Sequence, residues 1–280
     1  MNSLSIISII SIISIISIIS IIIVIICVYM YRCFLEKVET FGDYNNIYFF
    51  SKNETINFII KDKDDYIKNL TEFDLYARKV KSGNEYIDNI IETIVDFTDN
   101  EKEKLTKCAI ASDNFLKTCS LYKNVIDYKE LINIKWIFAC TDNNDKKQYE
   151  EGLPHTRENI IFLTKSIIKN NEENLINTLI HEKIHIYQRN NKNIFDTLNN
   201  MNGFVKINYS NKYIRSNPDT TKDIYLDTNT NNIMVCLYRN DTPYGINDVI
   251  MKNYSLEHPY EKYAYEIAND YYTNNKYKSI

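Results

Sequence analysis

Glycine (5) and proline (4) are scarce in this 280-residue chain, while isoleucine, asparagine, lysine and tyrosine abound. The scarcity removes the usual turn punctuation, and with so much asparagine that residue marks loops poorly as well. No two of the six cysteines are spaced CxxC; Cys27, Cys33, Cys108, Cys119, Cys140 and Cys236 are scattered. This argues against a cysteine metal cluster and favours free thiols over a disulfide framework. Cys27 and Cys33, near the end of an apolar stretch, are placed for palmitoylation. Basic charge is not in excess: 33 Lys and Arg against 37 Asp and Glu leave a net charge of −4. Nucleic acid is therefore not expected as a partner. Histidine is as rare as proline, with four residues.

Charge is missing altogether from Leu4 to Tyr31, where a Ser-Ile-Ile repeat runs into IIIVIICVYMY. As a helix this stretch is long enough to span a bilayer, and it lacks the charged n-region and cleavage site of a signal peptide. The expectation is an uncleaved single-pass anchor over residues 1–32 with the lipid bilayer as a partner. Arg32 and Lys37 follow the span, which favours a cytosolic position for the remainder. Sequons at Asn53, Asn69, Asn208, Asn240 and Asn253 matter only if the remainder is lumenal.

What is present beyond the anchor reads as an α+β chain. Residues 33–82 form a membrane-proximal segment with NIYFF and TINFII as short strands. From 83 to 280 a single domain is expected. Ile87, Ile90, Ile91, Ile94 and Phe97 have helical spacing, and Thr98 with Glu101 reads as a capping box opening a further helix. INIKWIFACT (132–141) and IIFLT (160–164) read as strands, and DIYL with NIMVCLY as a hairpin. A helix capped at Asn170 or Asn171 has Glu172 and Glu173 in its first turn and Arg189 near its end. A last helix opens at Pro259 with Ala264, Ile267, Ala268 and Tyr271 as its buried stripe.

The chemistry lies in the helix beginning near Glu172, which contains His181-Glu182-Lys183-Ile184-His185. Residues four apart share a helix face, so His181 and His185 can bind one zinc ion through their imidazoles. Glu182 beside them can hold a water and take its proton. With so few histidines, the pattern is expected by chance only about 0.004 times. A catalytic zinc needs a third protein ligand and an open position. The extension HExxHxxGxxH is absent, because 188 is Gln and 191 is Asn. Candidates for the third ligand fall in EHPYEKYAYEIA: Glu257, His258, Glu261 and Glu266.

Glu261-Lys262-Tyr263-Ala264-Tyr265 resembles the downstream ExxA helix of glutamate-ligand, gluzincin-like HExxH zinc metallopeptidases. Together with GLPHT, TLIHEKIHIYQR, NPD at 217–219 and a weaker match at FDLYARKV, it resembles membrane-anchored metallopeptidases of large DNA viruses. The resemblance covers roughly residues 70–275. It departs in the 76 positions between His185 and Glu261, and in Tyr265, where many relatives have aspartate.

The resemblance implies a zincin-like domain with a small mixed sheet, an active helix, and a C-terminal helix supplying Glu261 as third zinc ligand. It implies a peptide or protein substrate, paired along NIIFLT, and a host or virion membrane as location. Glu182 is the expected base, His155 a catalytic residue that donates to an oxyanion or serves the metal site in another way, and Glu266 a partner for a ligand histidine. Arg157 is expected to meet a neighbouring acid sooner than a substrate carboxylate. Tyr263 and Tyr265 are further oxyanion donors. The competing expectation is an inactive binding or structural protein in which zinc only stabilises the fold.

Overall fold

All five residues of IIFLT are buried, which a strand achieves when both faces of its sheet are covered. In the computed structural model, which describes residues 22–26, 28–30, 46–142, 148–251 and 256–276 (side chains to 273), the reason is topological. Strands β1 (Ile47–Phe49), β2 (Trp136–Thr141), β3 (His155–Arg157) and β4 (Ile160–Thr164) form one sheet in the order β1–β2–β4–β3. The first three in that order are parallel, and β3 closes the edge antiparallel to β4. Pleating sends Ile161, Leu163, Trp136, Phe138 and Cys140 into the larger core, and Ile160, Phe162 and Ala139 into a second core on the other face.

Helices α1 (Lys52–Lys61), α2 (Glu72–Ala77), α3 (Gly83–Thr93), α4 (Asp99–Leu116) and α5 (Tyr128–Asn133) lie between β1 and β2 in the chain. α1 occupies TINFII, which the sequence reading placed in a strand. A capping box of Ser51 with Glu54 opens it, and its i, i+4 pair Thr55 and Ile59 is buried, which suits a helix and not a two-residue alternation. The Thr98–Glu101 box opens α4 as expected. After β4 come α6 (Lys165–Lys169), α7 (Glu172–Asn190) and α8 (Lys192–Met201). α7 is capped by Asn171 and packs against α4 and against the last helix, α9 (Pro259–Lys276).

Between α8 and α9 the chain forms two small sheets. β5 (Phe204–Ile207), β6 (Ile224–Asp227) and β7 (Asn232–Met234) make an antiparallel meander. β8 (Cys236–Tyr238) pairs instead with β9 (Val249–Met251), so NIMVCLY is divided between two sheets at Val235. These elements belong to the compact unit Asn46–Ile280. Residues 46–82, read as a membrane-proximal segment, contribute β1, α1 and α2 to it.

The expected membrane-anchored α+β fold is corrected. Among the described residues no helix is long and apolar enough to cross a membrane, and those residues form a mixed α/β structure with small sheets. In the unit Met1–Asn45, residues 22–26 and 28–30 are helical and exposed. The rest of the expected span, with Cys27 and Cys33, lies outside the described residues. The single-pass location is corrected on the same ground.

Candidate metal centre

α7 brings His181 and His185 onto one face, and α9, packed against it, presents Glu261 from its first turn. The Nε2 atoms of the two histidines are 2.9 Å apart, and Glu261 Oε2 lies 3.4 Å from His181 Nε2 and 3.6 Å from His185 Nε2. Three points so spaced lie on a circle of about 1.9 Å radius, so one ion at the usual ~2.0–2.1 Å would be within reach of all three. Two imidazole nitrogens and a carboxylate oxygen are also the donor chemistry zinc takes. The trio therefore fits such an ion in distance and in chemistry. Among the described residues it is the group of His, Cys, Asp and Glu side chains close enough to share a metal.

The ligands are held from behind. His185 Nδ1 donates to Gln188 Oε1 at 2.8 Å, which leaves Nε2 free toward the centre. Gln188 in turn donates to the Tyr260 carbonyl at 2.9 Å, so one fully buried amide joins α7 to the start of α9. Asn217 donates to Glu261 Oε1 at 3.0 Å, which leaves Oε2 for the histidines. Burial works against charge on both partners, but their attraction prevails. Glu261 is held well below the usual carboxylate range by His185 and His181, and His185 is raised to about 9 by Glu261.

The other third-ligand candidates are committed elsewhere. Glu257 accepts from Arg215 at 2.5 Å and from Asn217 at 2.6 Å. His258 Nδ1 accepts the Tyr260 N–H at 3.0 Å, capping α9, and its Nε2–H donates to Thr221 Oγ1 at 3.2 Å. Burial lowers its pKa to about 3, so the ring stays neutral. Glu266 is bound by Tyr122 and Lys262, not by a ligand histidine.

A cavity of about 440 Å³ opens on His181 and Glu261, lined also by His155, Glu182, Asn217, Asp219, Ile246 and Tyr265 among others. Glu182 is buried, with Oε2 lacking a partner. Its pKa is raised well above the usual carboxylate range by burial and then by the charges of Asp219 and Glu261, against His185 and Arg189. His155 is buried as well, its ring stacked on Phe162 and edge-on to Tyr149. Its Nδ1 donates to the Leu153 carbonyl at 3.0 Å, and Nε2 has no partner. Burial keeps the imidazole neutral, outweighing Glu150 and Asp219. In that tautomer Nε2 is an acceptor. Gly152, three residues ahead, turns the chain with φ of 79°, a conformation glycine adopts without strain.

Arg157 is wholly buried on Asp62 and Asp64, with Tyr149 at 2.8 Å, as neighbouring acids required. Tyr265 lines the cavity with its ring centre 4.4 Å from that of His181, whereas Tyr263 is a core residue against Phe195 and Tyr122. The sequence reading noticed Gln188 only as a missing glycine and Asn217 only inside NPD. A polar side chain three residues after His185, on a helix apolar enough to be buried, was the available signal for Gln188.

No family model, curated protein or solved structure matches this chain.

Proposed function

We propose that the protein is a zinc-dependent hydrolase of amide bonds, with peptides as its substrate class. The observation that carries the reading is the meeting of three zinc-type donors beside a buried carboxylate that has an unpartnered oxygen in the same cavity. His181, His185 and Glu261 would hold the ion. Zinc, when bound, supplies Lewis acidity that acidifies water and polarises a carbonyl. Glu182 takes the water's proton and passes it to the leaving amine. Burial raises the Glu182 carboxyl well above the usual range, and a cation held by the three ligands would oppose that shift and favour the carboxylate that a base must be. His155 Nε2 accepts a hydrogen bond from a substrate N–H and so orients it. A zinc site that only stabilises a fold is usually closed by four protein ligands; among the described residues this cluster has three.

The test is zinc content beside turnover on short acylated peptides. Glu182→Gln should keep one zinc per chain and lose at least about 10²-fold in kcat. Equal turnover by this variant and the wild type would refute the hydrolase reading.

A further inference from the structure

The sheet edge beside the cavity is β3, not β4, and its outward hydrogen-bonding positions are already taken. Thr156 stands opposite Ile161 of β4, yet its N–H points away from that strand and donates to Asp219 Oδ1 at 2.6 Å. The same oxygen accepts the Thr156 hydroxyl at 2.8 Å. The Thr156 carbonyl accepts from Arg189 at 3.4 Å, and Arg189 also donates to Thr156 Oγ1 and to the Pro218 carbonyl, each at 3.0 Å. Thr156 is wholly buried. Two residues back, the next outward position is Pro154, which has no N–H. A strand can be added only to a row of free donors and acceptors. At 154 and 156 the donors are missing or used.

The blocking segment is itself fixed. The Asp219 N–H donates to Asn217 Oδ1 at 2.8 Å, and Asn217 bonds both Glu257 and Glu261. Ser216 donates to Asp74 through its N–H at 2.9 Å and its hydroxyl at 2.8 Å. Residues 215–219 therefore form a strap along the edge where an extended peptide would lie. What remains is the cavity of about 440 Å³ between strap, α7 and the apolar residues Ile246, Val249 and Met251, the size of site that encloses a small ligand.

We infer that the site takes compact amide substrates lodged in this cavity and excludes an extended polypeptide paired as an added strand on β3; this rests on the zinc-hydrolase reading above. The test uses the full chain loaded with zinc and two hydroxamate probes: one of a single amino acid, one of an extended pentapeptide. Calorimetry should find their affinities within about threefold, and Asp219→Ala should favour the pentapeptide probe by about tenfold or more. Asp219→Asn, which keeps the acceptor oxygen, should retain the wild-type ratio. A preference of about tenfold or more for the pentapeptide in the wild type overturns the inference, whether or not Asp219→Ala folds. If neither probe binds the zinc-loaded chain, the hydrolase reading fails, and amide exchange at Thr156 decides the block separately. Slow exchange in wild type and Asp219→Asn with fast exchange in Asp219→Ala supports it; fast exchange in the wild type overturns it.

Discussion

Gln188 accepts from His185 Nδ1 and donates to the Tyr260 carbonyl. Leucine at 188 would fill similar space and leave both groups without a partner. Gln188→Leu is expected to weaken zinc binding about 10- to 100-fold, the usual effect of removing an outer-shell partner. A competing chelator titration measures this, and unchanged affinity would show that Gln188 does not hold the ligand. His185 also sets a pH dependence. Its pKa in the metal-free protein is raised from 6.5 to about 9 through Glu261, against burial. Its contribution to metal-free stability is thus fully present below 6.5 and lost as pH rises through about 9. Zinc must displace the same proton, so apparent affinity should climb about tenfold per pH unit below that pKa and then level off. Titrations from mildly acidic to mildly alkaline pH would read the slope, and a flat profile would contradict the assigned ligand.

At the scale of the element, the histidine face of α7 is oriented by what lies on its far side. Lys183, inside HEKIH, is buried and bonds Asp113 of α4 at 2.7 Å, with its ammonium 4.1 Å from the Trp136 ring centre. The Trp136 indole donates to the other Asp113 oxygen at 2.9 Å. Burial lowers Lys183 to about 8 against the pull of Asp113, and raises Asp113 against the pull of Lys183. The pair therefore costs desolvation on both sides, and its worth lies in fixing the rotation of α7 against α4. Lys183→Met strands Asp113 and should destabilise the fold by about 3–5 kcal/mol in urea unfolding. Lys183→Met with Asp113→Leu should recover most of that loss, since an apolar pair carries no buried charge. Failure of the double variant to recover would point to a packing role. At the start of α9, His258 must stay neutral to cap through Nδ1. Its pKa falls from 6.5 to about 3, so the stability it gives is present above 6.5 and is lost as pH falls toward 3. His258→Asn should flatten the acid limb of a stability-versus-pH curve.

Across the whole molecule, the segment before residue 83 completes the site's support. Asp62 and Asp64 neutralise the wholly buried Arg157, and Arg78 neutralises the buried Glu150. Asp74 holds the strap through Ser216 and accepts from Tyr238 at 2.9 Å. A chain starting at residue 83 would leave Arg157 and Glu150 buried without these partners and β2 without β1. It should fail to unfold cooperatively, whereas a chain starting at Asn46 should keep the melting transition and zinc stoichiometry of the full chain. Calorimetry and metal analysis of the two would decide, and a cooperative transition from residue 83 onward would count against this account.

Some of this is legible in the sequence alone. The i, i+4 geometry of a helix places His181 beside His185 whatever surrounds it, and the caps at Thr98 and Asn171 act within one turn. Local rules of that kind reach only a few residues, so the sequence by itself determined the pair, its neighbouring carboxylate and the helix that carries them. Glu261 could be ranked among Glu257, His258 and Glu266 but not chosen, because its place depends on how α9 lies against α7, 76 positions later in the chain. TINFII is helical despite its β-branched composition, opened by the reciprocal capping box of Ser51 and Glu54. The acceptor tautomer of His155, the clamp of Gln188 and the strap across Thr156 were decided only by the tertiary structure. The Gln188–Tyr260 and Thr156–Asp219 hydrogen bonds join groups far apart in sequence and, like the burial of His155 against Phe162, form only after the chain has been brought together by burial of its apolar surface.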